Sequence, residues 1–220
     1  MTLLQMMNKI LVRLRENEVS GLSSGYPNLI VGLINDAKED VEDAGPWYSL
    51  RTTINKTLTS DVDTVSLTDV TNDRSYLLYV KNMPQAFVTT VDEERRLAVI
   101  SQGEMDAIRA LDPDAQNDIP AWVSFNRSDD GLVAEFWPTP DSAYSVRFVM
   151  VVPQDELSDA STEITVPATP VWRLALARAL DERGEELGLS ADKAQQRADM
   201  ALFNAMASDF LNDDMTFEAR

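Results

Sequence analysis

Acidic side chains are the groups with the clearest chemical potential in this sequence of 220 residues, which has 37 Asp and Glu but neither His nor Cys. Neighbouring carboxylates could bind a hard cation or act as the acid and base pair of glycoside hydrolysis. The closely spaced acids are Asp61 with Asp63, Asp92-Glu93-Glu94, Asp112 with Asp114, Asp129-Asp130 and Asp213-Asp214. None has the ligand spacing and glycine of an EF-hand loop, and most lie in predicted turns, where Asp caps the backbone. We therefore expect no metal site.

Most other catalytic chemistry is excluded by residue type. Without His the chain lacks the commonest general base and metal ligand, and without Cys it lacks thiolate nucleophiles and thiolate zinc sites. No glycine-rich phosphate loop of the Walker or dinucleotide-binding kind occurs. A carboxylate-dependent hydrolase is an alternative, but two acids can be chosen from 37 in too many ways to identify a pair. We predict no catalytic residue, no cofactor and no enzymatic activity.

The charge balance limits the partners of the chain. Its 19 Lys and Arg against 37 Asp and Glu give a net charge of −18. Reading a DNA sequence needs clustered Lys and Arg for phosphate contacts, so we expect no sequence-specific DNA binding. No apolar run approaches the ~20 residues that span a bilayer, and the start of the chain lacks a basic leader before its apolar stretch. The sequence thus predicts neither a membrane anchor nor a signal peptide.

Helical patterns occupy the first part of the chain. Thr2 and Gln5 have the spacing of a capping box, at the start of a helix predicted over Thr2 to Glu16. A second helix begins near Pro27 and ends at Gly45-Pro46. The bulky residues directly after that break, Trp47, Tyr48 and Leu50, are predicted to fill the junction as core residues.

A β-rich middle follows, from Arg51 to Pro153, where β-branched and aromatic residues alternate with turn-forming Asp, Asn and Gly. The clearest strand is Tyr144 to Val152, which we predict to pair with Leu132 to Trp137. Asp130-Gly131 suits a hairpin turn, so Ala121 to Trp137 is predicted to be a hairpin. Further candidate strands are Thr52 to Leu58, Tyr76 to Val80 and Ala86 to Thr90. The segment Asp92 to Leu111 is compatible either with a short helix or with a strand and turn.

Two more helices and a tail complete the pattern. Thr169-Pro170 opens one helix and Ser190 caps the other. The last helix carries small residues on one face, which allow close approach of a helix from the same chain or from a neighbour. They are the candidate subunit interface: Ala194, Ala198, Ala201 and Ala205. The last residues mix acidic and apolar side chains, which predicts an extended tail. Its apolar members have no evident core and are candidates for docking on a partner: Phe210, Leu211, Met215 and Phe217.

The predicted fold class is α+β. N- and C-terminal helices form a four-helix bundle around an inserted antiparallel β-rich domain, because amphipathic helices must bury their apolar stripes against one another. The predicted boundaries are 1–50 for the first part of the bundle, 51–153 for the inserted domain, 154–207 for the second part of the bundle, and 208–220 for the extended C-terminal tail.

This order of elements can be quoted from the sequence. The segments are TLLQMMNKILVRLRE, YPNLIVGLINDAKEDVEDAGPWYSL with its helix-to-Trp47 junction, RTTINKTLTSDVDTVSLT, YSVRFVMVVP, and the closing pair TPVWRLALARALDERGEELG and ADKAQQRADMALFNAMASDF. In this order they resemble the head-to-tail adaptor proteins of tailed bacteriophages, also known as connector or tail tubular proteins. The resemblance covers nearly the whole chain.

The resemblance implies a structural virion protein. Such proteins assemble in the host cytoplasm as a ring of twelve copies beneath the portal, in the neck of the particle, and bridge it to the downstream tail or nozzle protein. The genome passes through the channel without sequence-specific binding. In that family the C-terminal segment commonly engages the portal, which corresponds here to Phe210, Leu211, Met215 and Phe217. A negative channel wall would not retain moving DNA, in keeping with the acidity of the chain.

Two further expectations concern alternatives. Eighteen negative charges per copy oppose self-association, so the isolated subunit is predicted to be monomeric, with ring formation awaiting the portal. A protein- or carbohydrate-binding module is the alternative function, and it would predict a concave aromatic site around Trp122, Phe136 and Trp137. Because these aromatic residues lie in the predicted hairpin strands, we expect them to form a core between the sheets instead.

Overall fold

The computed structural model describes residues 1–22, 25–90, 93–112, 116–128, 131–184 and 190–217, with the side chains of residues 128 and 211–217 outside the description. Over these ranges the helices are α1 (Leu3–Arg13), α2 (Tyr26–Asp43), α3 (Gln102–Leu111), α4 (Ala168–Arg183) and α5 (Ala191–Phe217). The strands are β1 (Arg51–Leu58), β2 (Thr64–Ser66), β3 (Tyr76–Leu77), β4 (Tyr79–Val80), β5 (Met83–Pro84), β6 (Ala86–Thr89), β7 (Glu94–Arg96), β8 (Ala98–Val99), β9 (Trp122–Ser128), β10 (Gly131–Trp137) and β11 (Tyr144–Val151). The fold is α+β, and its sheets are antiparallel apart from the parallel pair β8 and β9.

The chain divides into two compact units. Residues Met1–Leu50 and Gln154–Arg220 form a helical unit, and residues Arg51–Pro153 form a sheet unit. Within the described residues, no helix is both long enough and apolar enough to cross a lipid bilayer.

The helical unit is held together by pairwise helix packing. α5 packs along α4, α4 packs on α2, and α1 packs on both α2 and α4. The predicted capping box of α1 is confirmed, because Thr2 Oγ1 accepts from the Gln5 N–H at 3.3 Å and Gln5 Oε1 accepts from the Thr2 N–H at 3.0 Å. At the far end of α2, Trp47 and Leu50 are buried as predicted. Tyr48 is exposed, so its predicted core role is wrong.

The sheet unit packs two main sheets around one apolar core. One sheet has the order β1-β11-β6-β7, with β3 also paired to β11, and the other has the order β2-β10-β9-β8. Phe148 of β11 lies 5.5 Å from Phe125 of β9 and 6.3 Å from Phe136 of β10, measured between ring centroids. The alternating apolar residues of β11 therefore face the opposite sheet.

The predicted hairpin is confirmed by its ladder, in which β9 pairs with β10 from Gly131↔Ser128 to Trp137↔Trp122. Gly131 has φ +112°, and a Cβ at this position would lie 2.7 Å from Thr68 Cγ2, so glycine is required both by conformation and by space. Asp129 and Asp130, within the predicted turn, lie outside the described residues.

Two further sequence predictions are wrong. β11 does not pair with Leu132 to Trp137 but lies between β1 and β6 in the other sheet, because the proline-containing connection from Pro138 carries the chain across to it. α4 begins at Ala168 with Pro167 as its cap residue, rather than at Thr169.

The predicted extended tail from Ser208 is helical through Phe217. No glycine or proline follows Ala191, so no residue breaks the helix, and Ser208 returns a hydrogen bond from Oγ to the Asn204 carbonyl at 3.0 Å. The segment from Asp92 to Leu111, which the sequence left open, contains both alternatives. β7 and β8 are followed by α3, with Asp92 outside the described residues.

Candidate assembly surface

α5 is seated on the helical unit by its small residues. Ala194, Ala198 and Ala201 are buried and Ala205 is half-buried, and α5 packs along α4 of the same chain. Alanine side chains allow two helix backbones to approach closely, which explains why this face is turned inward. The structure therefore places the candidate subunit interface of the sequence analysis against α4 within one chain.

The opposite face of α5 is apolar and exposed. The exposed fraction is 66% for Met200, 72% for Phe203, 39% for Met206 and 66% for Phe210. Steps of three and four residues bring these side chains to one side of the helix. A contiguous apolar face on a protein surface marks a site of interaction. We name this set of four residues the outer face of α5.

The distal part of α5 is tied to the turn after α2. Asp209 Oδ2 accepts a hydrogen bond from the Tyr48 N–H at 2.9 Å, and Tyr48–Leu50 form one 3-10 turn. Next to it, Trp47 Nε1 donates to the Val41 carbonyl, which closes the end of α2. This anchor lies beside Phe210, whose ring remains exposed. The helix backbone continues past Asp209 to Phe217 and carries Leu211, Met215 and Phe217, whose side chains lie outside the described residues.

The aromatic residues of the alternative binding site do not form one exposed cluster. Phe136 is fully buried in the core between the sheets. Trp122 and Trp137 are half-buried partners across β9 and β10, and the Arg109 guanidinium lies 5.8 Å from the Trp137 ring centroid. These three residues therefore do not form the concave aromatic site that a carbohydrate-binding module would need.

Several acids form ion pairs that brace the sheet unit. Arg109 of α3 donates to Asp63 at 2.6 Å and also binds Glu135 of β10. Gln102 Nε2 donates to Glu135 Oε2 at 2.8 Å, and Gln102 Oε1 accepts from Ser124 Oγ at 2.8 Å. This network fixes α3 on the sheet through groups that are largely screened from water. Asp63 thus has a structural partner, whereas it was a candidate ligand in the sequence.

Hydrogen bonds lower the pKa of four carboxyl groups in the described part of the chain. The Arg147 guanidinium donates to both oxygens of Glu94 at 2.9 Å and holds the pKa of that carboxyl below its usual value. Hydrogen bonds from Ser101, Lys56 and Ser161 likewise lower the pKa values of their acidic partners, which are Glu104, Asp69 and Asp159. A general acid at neutral pH needs a raised carboxyl pKa, and these four shifts have the opposite sign.

The acidic clusters do not assemble a metal site in the described part of the chain. No group of three or more Asp, Glu, His or Cys residues there is arranged to hold a metal ion. Asp61 instead accepts a hydrogen bond from Asn117 Nδ2 at 2.6 Å. Asp114 lies outside the described residues, as do the side chains of Asp213 and Asp214.

Comparison with known proteins identifies a family. The family model described as SU10 adaptor protein matches residues 1–219. No curated protein matches the chain. The family match covers both structural units and α5, in agreement with the resemblance found in the sequence.

Proposed function

The chain belongs to the SU10 adaptor protein family, and we propose that it is the head-to-tail adaptor that forms a ring under the portal of a tailed phage. Membership assigns it a structural role in the phage particle, in a family that is non-catalytic. The proposal adds the architecture of the assembly. Twelve copies form the ring, the N- and C-terminal helices of each copy form a four-helix bundle, and the genome passes through the central channel. Assembly takes place in the host cytoplasm.

The single observation that carries the proposal is the family match over residues 1–219. The outer face of α5 supports it, because an exposed apolar helix face in an otherwise strongly acidic chain needs a partner to cover it. We propose that the distal part of this helix, with Phe210, Leu211, Met215 and Phe217, engages the portal. The sheet unit faces the next tail component, and the negative charge of the copies keeps DNA from adhering to the channel.

Ring formation is proposed to depend on the portal as a template. A net charge of −18 per copy makes the approach of two copies unfavourable at low salt. We therefore expect the purified chain to sediment as a monomer in low salt. A stable ring of the purified protein under that condition would contradict this part of the proposal.

The test of the function is the mass of the assembly. Native mass spectrometry or sedimentation would be applied to the full chain alone, to its mixture with the portal protein encoded in the same genome, and to a chain that ends after Ser208. We expect the full chain to join the portal in a ring and the shortened chain to fail. Tyr79→Ser, which removes an exposed aromatic side chain from the sheet unit, is the matched control and should still assemble.

If the full chain does not bind the portal, the adaptor role is wrong. If both the full and the shortened chain bind equally, the adaptor role stands and the proposed contact through Phe210, Leu211, Met215 and Phe217 is wrong.

A further inference from the structure

A basic pocket is present on the helical unit around Trp172. The indole is buried at the base of a cavity of about 270 Å³, which is lined by Arg13, Trp172, Arg173, Leu176, Ala194 and Arg197. The base of the cavity is apolar and three of the six lining residues are arginines. These side chains come from α1, α4 and α5, so the pocket exists only when the three helices are packed together.

Cationic side chains surround the Trp172 ring. Lys9 Nζ lies 4.2 Å from the Trp172 ring centroid, and the guanidinium carbons of Arg13 and Arg173 lie at 4.9 Å and 5.5 Å. Arg197 lines the same cavity as Arg13 and Arg173, and its backbone carbonyl accepts a hydrogen bond from Arg173 Nη1 at 3.3 Å.

No carboxylate in the described part of the chain lies within 4.0 Å of these four cations. Like charges held this close repel one another, and the aromatic ring offsets only part of that repulsion. Although the whole chain has a net charge of −18, the positive charge of this cluster attracts an anion, and a bound anion reduces the repulsion among the cations. The pocket thus has the composition of a site for a carboxylate with an apolar neighbour, since arginine binds carboxylates in a bidentate manner.

We propose that this pocket binds the acidic pair Asp213-Asp214 of a second copy of the chain. The inference rests on the proposed ring. The distal segment supplies the matching chemistry, because the two adjacent acids follow Phe210 and Leu211 in the sequence. The nearest other acids are Asp209, which already accepts the Tyr48 N–H within its own chain, and Glu218, which lies outside the described residues.

The pocket cannot bind the acidic pair of its own chain. α5 runs without interruption from Ala191 to Phe217, so about 24 Å of helix axis separates Arg197 from Asp213. That distance is far greater than the reach of an arginine side chain. The contact must therefore join two copies, with the pocket of one copy meeting the distal segment of the next. An interface between different surfaces of identical subunits propagates from copy to copy and closes into a ring when the rotation allows.

The first test uses a fluorescein-labelled peptide of residues 208–220, titrated into the full chain and followed by fluorescence polarisation. We expect saturable binding that is too weak to join two full chains of net charge −18 without the portal, and that weakens further with added salt. Arg173→Gln with Arg197→Gln should weaken it at least about tenfold, because two charge-assisted contacts are lost. Lys81→Gln with Arg127→Gln makes the same change of charge on the sheet unit and should leave binding unchanged. A peptide carrying Asp213→Asn and Asp214→Asn should lose binding to a similar extent.

The second test exchanges the charges. A chain with Arg173→Glu and Arg197→Glu should reject the natural peptide and accept one with Asp213→Lys and Asp214→Lys. This rescue also shows that the substituted chain is folded. If the natural peptide binds equally to the natural, Gln-substituted and Glu-substituted chains, the pocket is not its site and the inference is wrong. If a short DNA duplex occupies the pocket and the peptide does not, the inference is also wrong.

Assembly with the portal separates the inference from the proposed function. The pocket charge reversal and the distal charge reversal should each prevent ring formation, and equal amounts of the two variants should restore it. If the natural chain forms a ring and the pocket variant joins it unchanged, the inference fails while the function stands. If the natural chain forms no ring, the function fails, and the peptide titration still decides whether the pocket binds the acidic pair.

Discussion

Lys38 and Glu42 form an ion pair one turn apart on α2, at 3.2 Å, with side chains that are 1% and 0% exposed. Lys38 Nζ also donates to the Gln154 carbonyl at 2.5 Å, and Glu42 Oε1 accepts the Gln154 N–H at 3.1 Å. The pair therefore satisfies both backbone groups of the residue at which the chain re-enters the helical unit. A buried ion pair of this kind holds the chain in place at Gln154, although removing its two charges from water costs free energy.

Breaking this pair should destabilise the helical unit strongly. Lys38→Met removes the ammonium group that pairs with the buried Glu42 carboxylate, so we expect a loss of about 3 kcal/mol in the free energy of unfolding. Replacing both residues by Met removes both buried charges and should recover part of that loss. Urea denaturation followed by far-UV circular dichroism measures both variants. A double variant as unstable as Lys38→Met would show that the charge is not the cause.

Substitutions on the two faces of α5 should differ in their effect on stability. Ala198→Leu inserts a larger side chain into the buried contact with α4, and we expect a loss of about 1–3 kcal/mol in stability. Phe203→Ser changes the exposed outer face and should stay within about 0.5 kcal/mol of the natural chain. Thermal and urea unfolding check the pair. A large loss of stability from Phe203→Ser would mean that this face packs within the chain.

Phe148 is the central core residue of the sheet unit. Its ring is buried between Phe125 and Phe136 of the facing sheet, so Phe148→Ala should cost about 3–5 kcal/mol. Phe87→Ala is the matched control. Its half-buried ring lies 4.2 Å from the Arg147 guanidinium, and its loss should cost no more than about 1 kcal/mol. The free energy of unfolding from urea titrations distinguishes the two, and similar costs would contradict the assignment of the core.

The bidentate pair of Glu94 and Arg147 should contribute stability that depends on pH. The pKa of Glu94 is lower in the folded chain than its usual value of 4.5, so the contribution is present above that pH and is lost as pH falls through the folded pKa. Because Glu94 is partly exposed, Glu94→Gln should cost less than about 1 kcal/mol at neutral pH. The difference between the two chains should shrink as pH falls below about 4.5 and through the folded pKa. A difference that is constant with pH, in urea unfolding at each pH, would refute the role of this carboxylate.

Local sequence signals predicted the start of α1 and the hairpin, because each depends on residues close in sequence. Thr2 with Gln5 marks the start of α1, and Asp130-Gly131 between two apolar segments marks the hairpin that β9 and β10 form. The same kind of signal was present for α3 and was overlooked. Ser101 and Glu104 form a second capping box, which would have resolved the undecided segment.

Features that depend on distant residues could not be predicted in the same way. The alternation in β11 identifies its buried face but does not identify its neighbours, because apolar faces of both sheets meet in one core. The helix spacing shows which side chains share a face of α5. It does not show that the alanine face is buried on α4 and that the opposite face is therefore exposed. The basic pocket unites Lys9, Arg13, Arg173 and Arg197 from three helices, and no spacing in the sequence indicates that they converge on Trp172.

Arg51, the first residue of the sheet unit, pairs with Val151 near its end. The chain therefore enters and leaves this unit on adjacent strands, about 5 Å apart. Because its two ends lie so close together, the sheet unit can take the place of a short loop in the helical unit, whatever number of strands it contains. Evolution or protein engineering can therefore lengthen, shorten or exchange the sheet unit, while the helices and the surfaces they carry keep their structure.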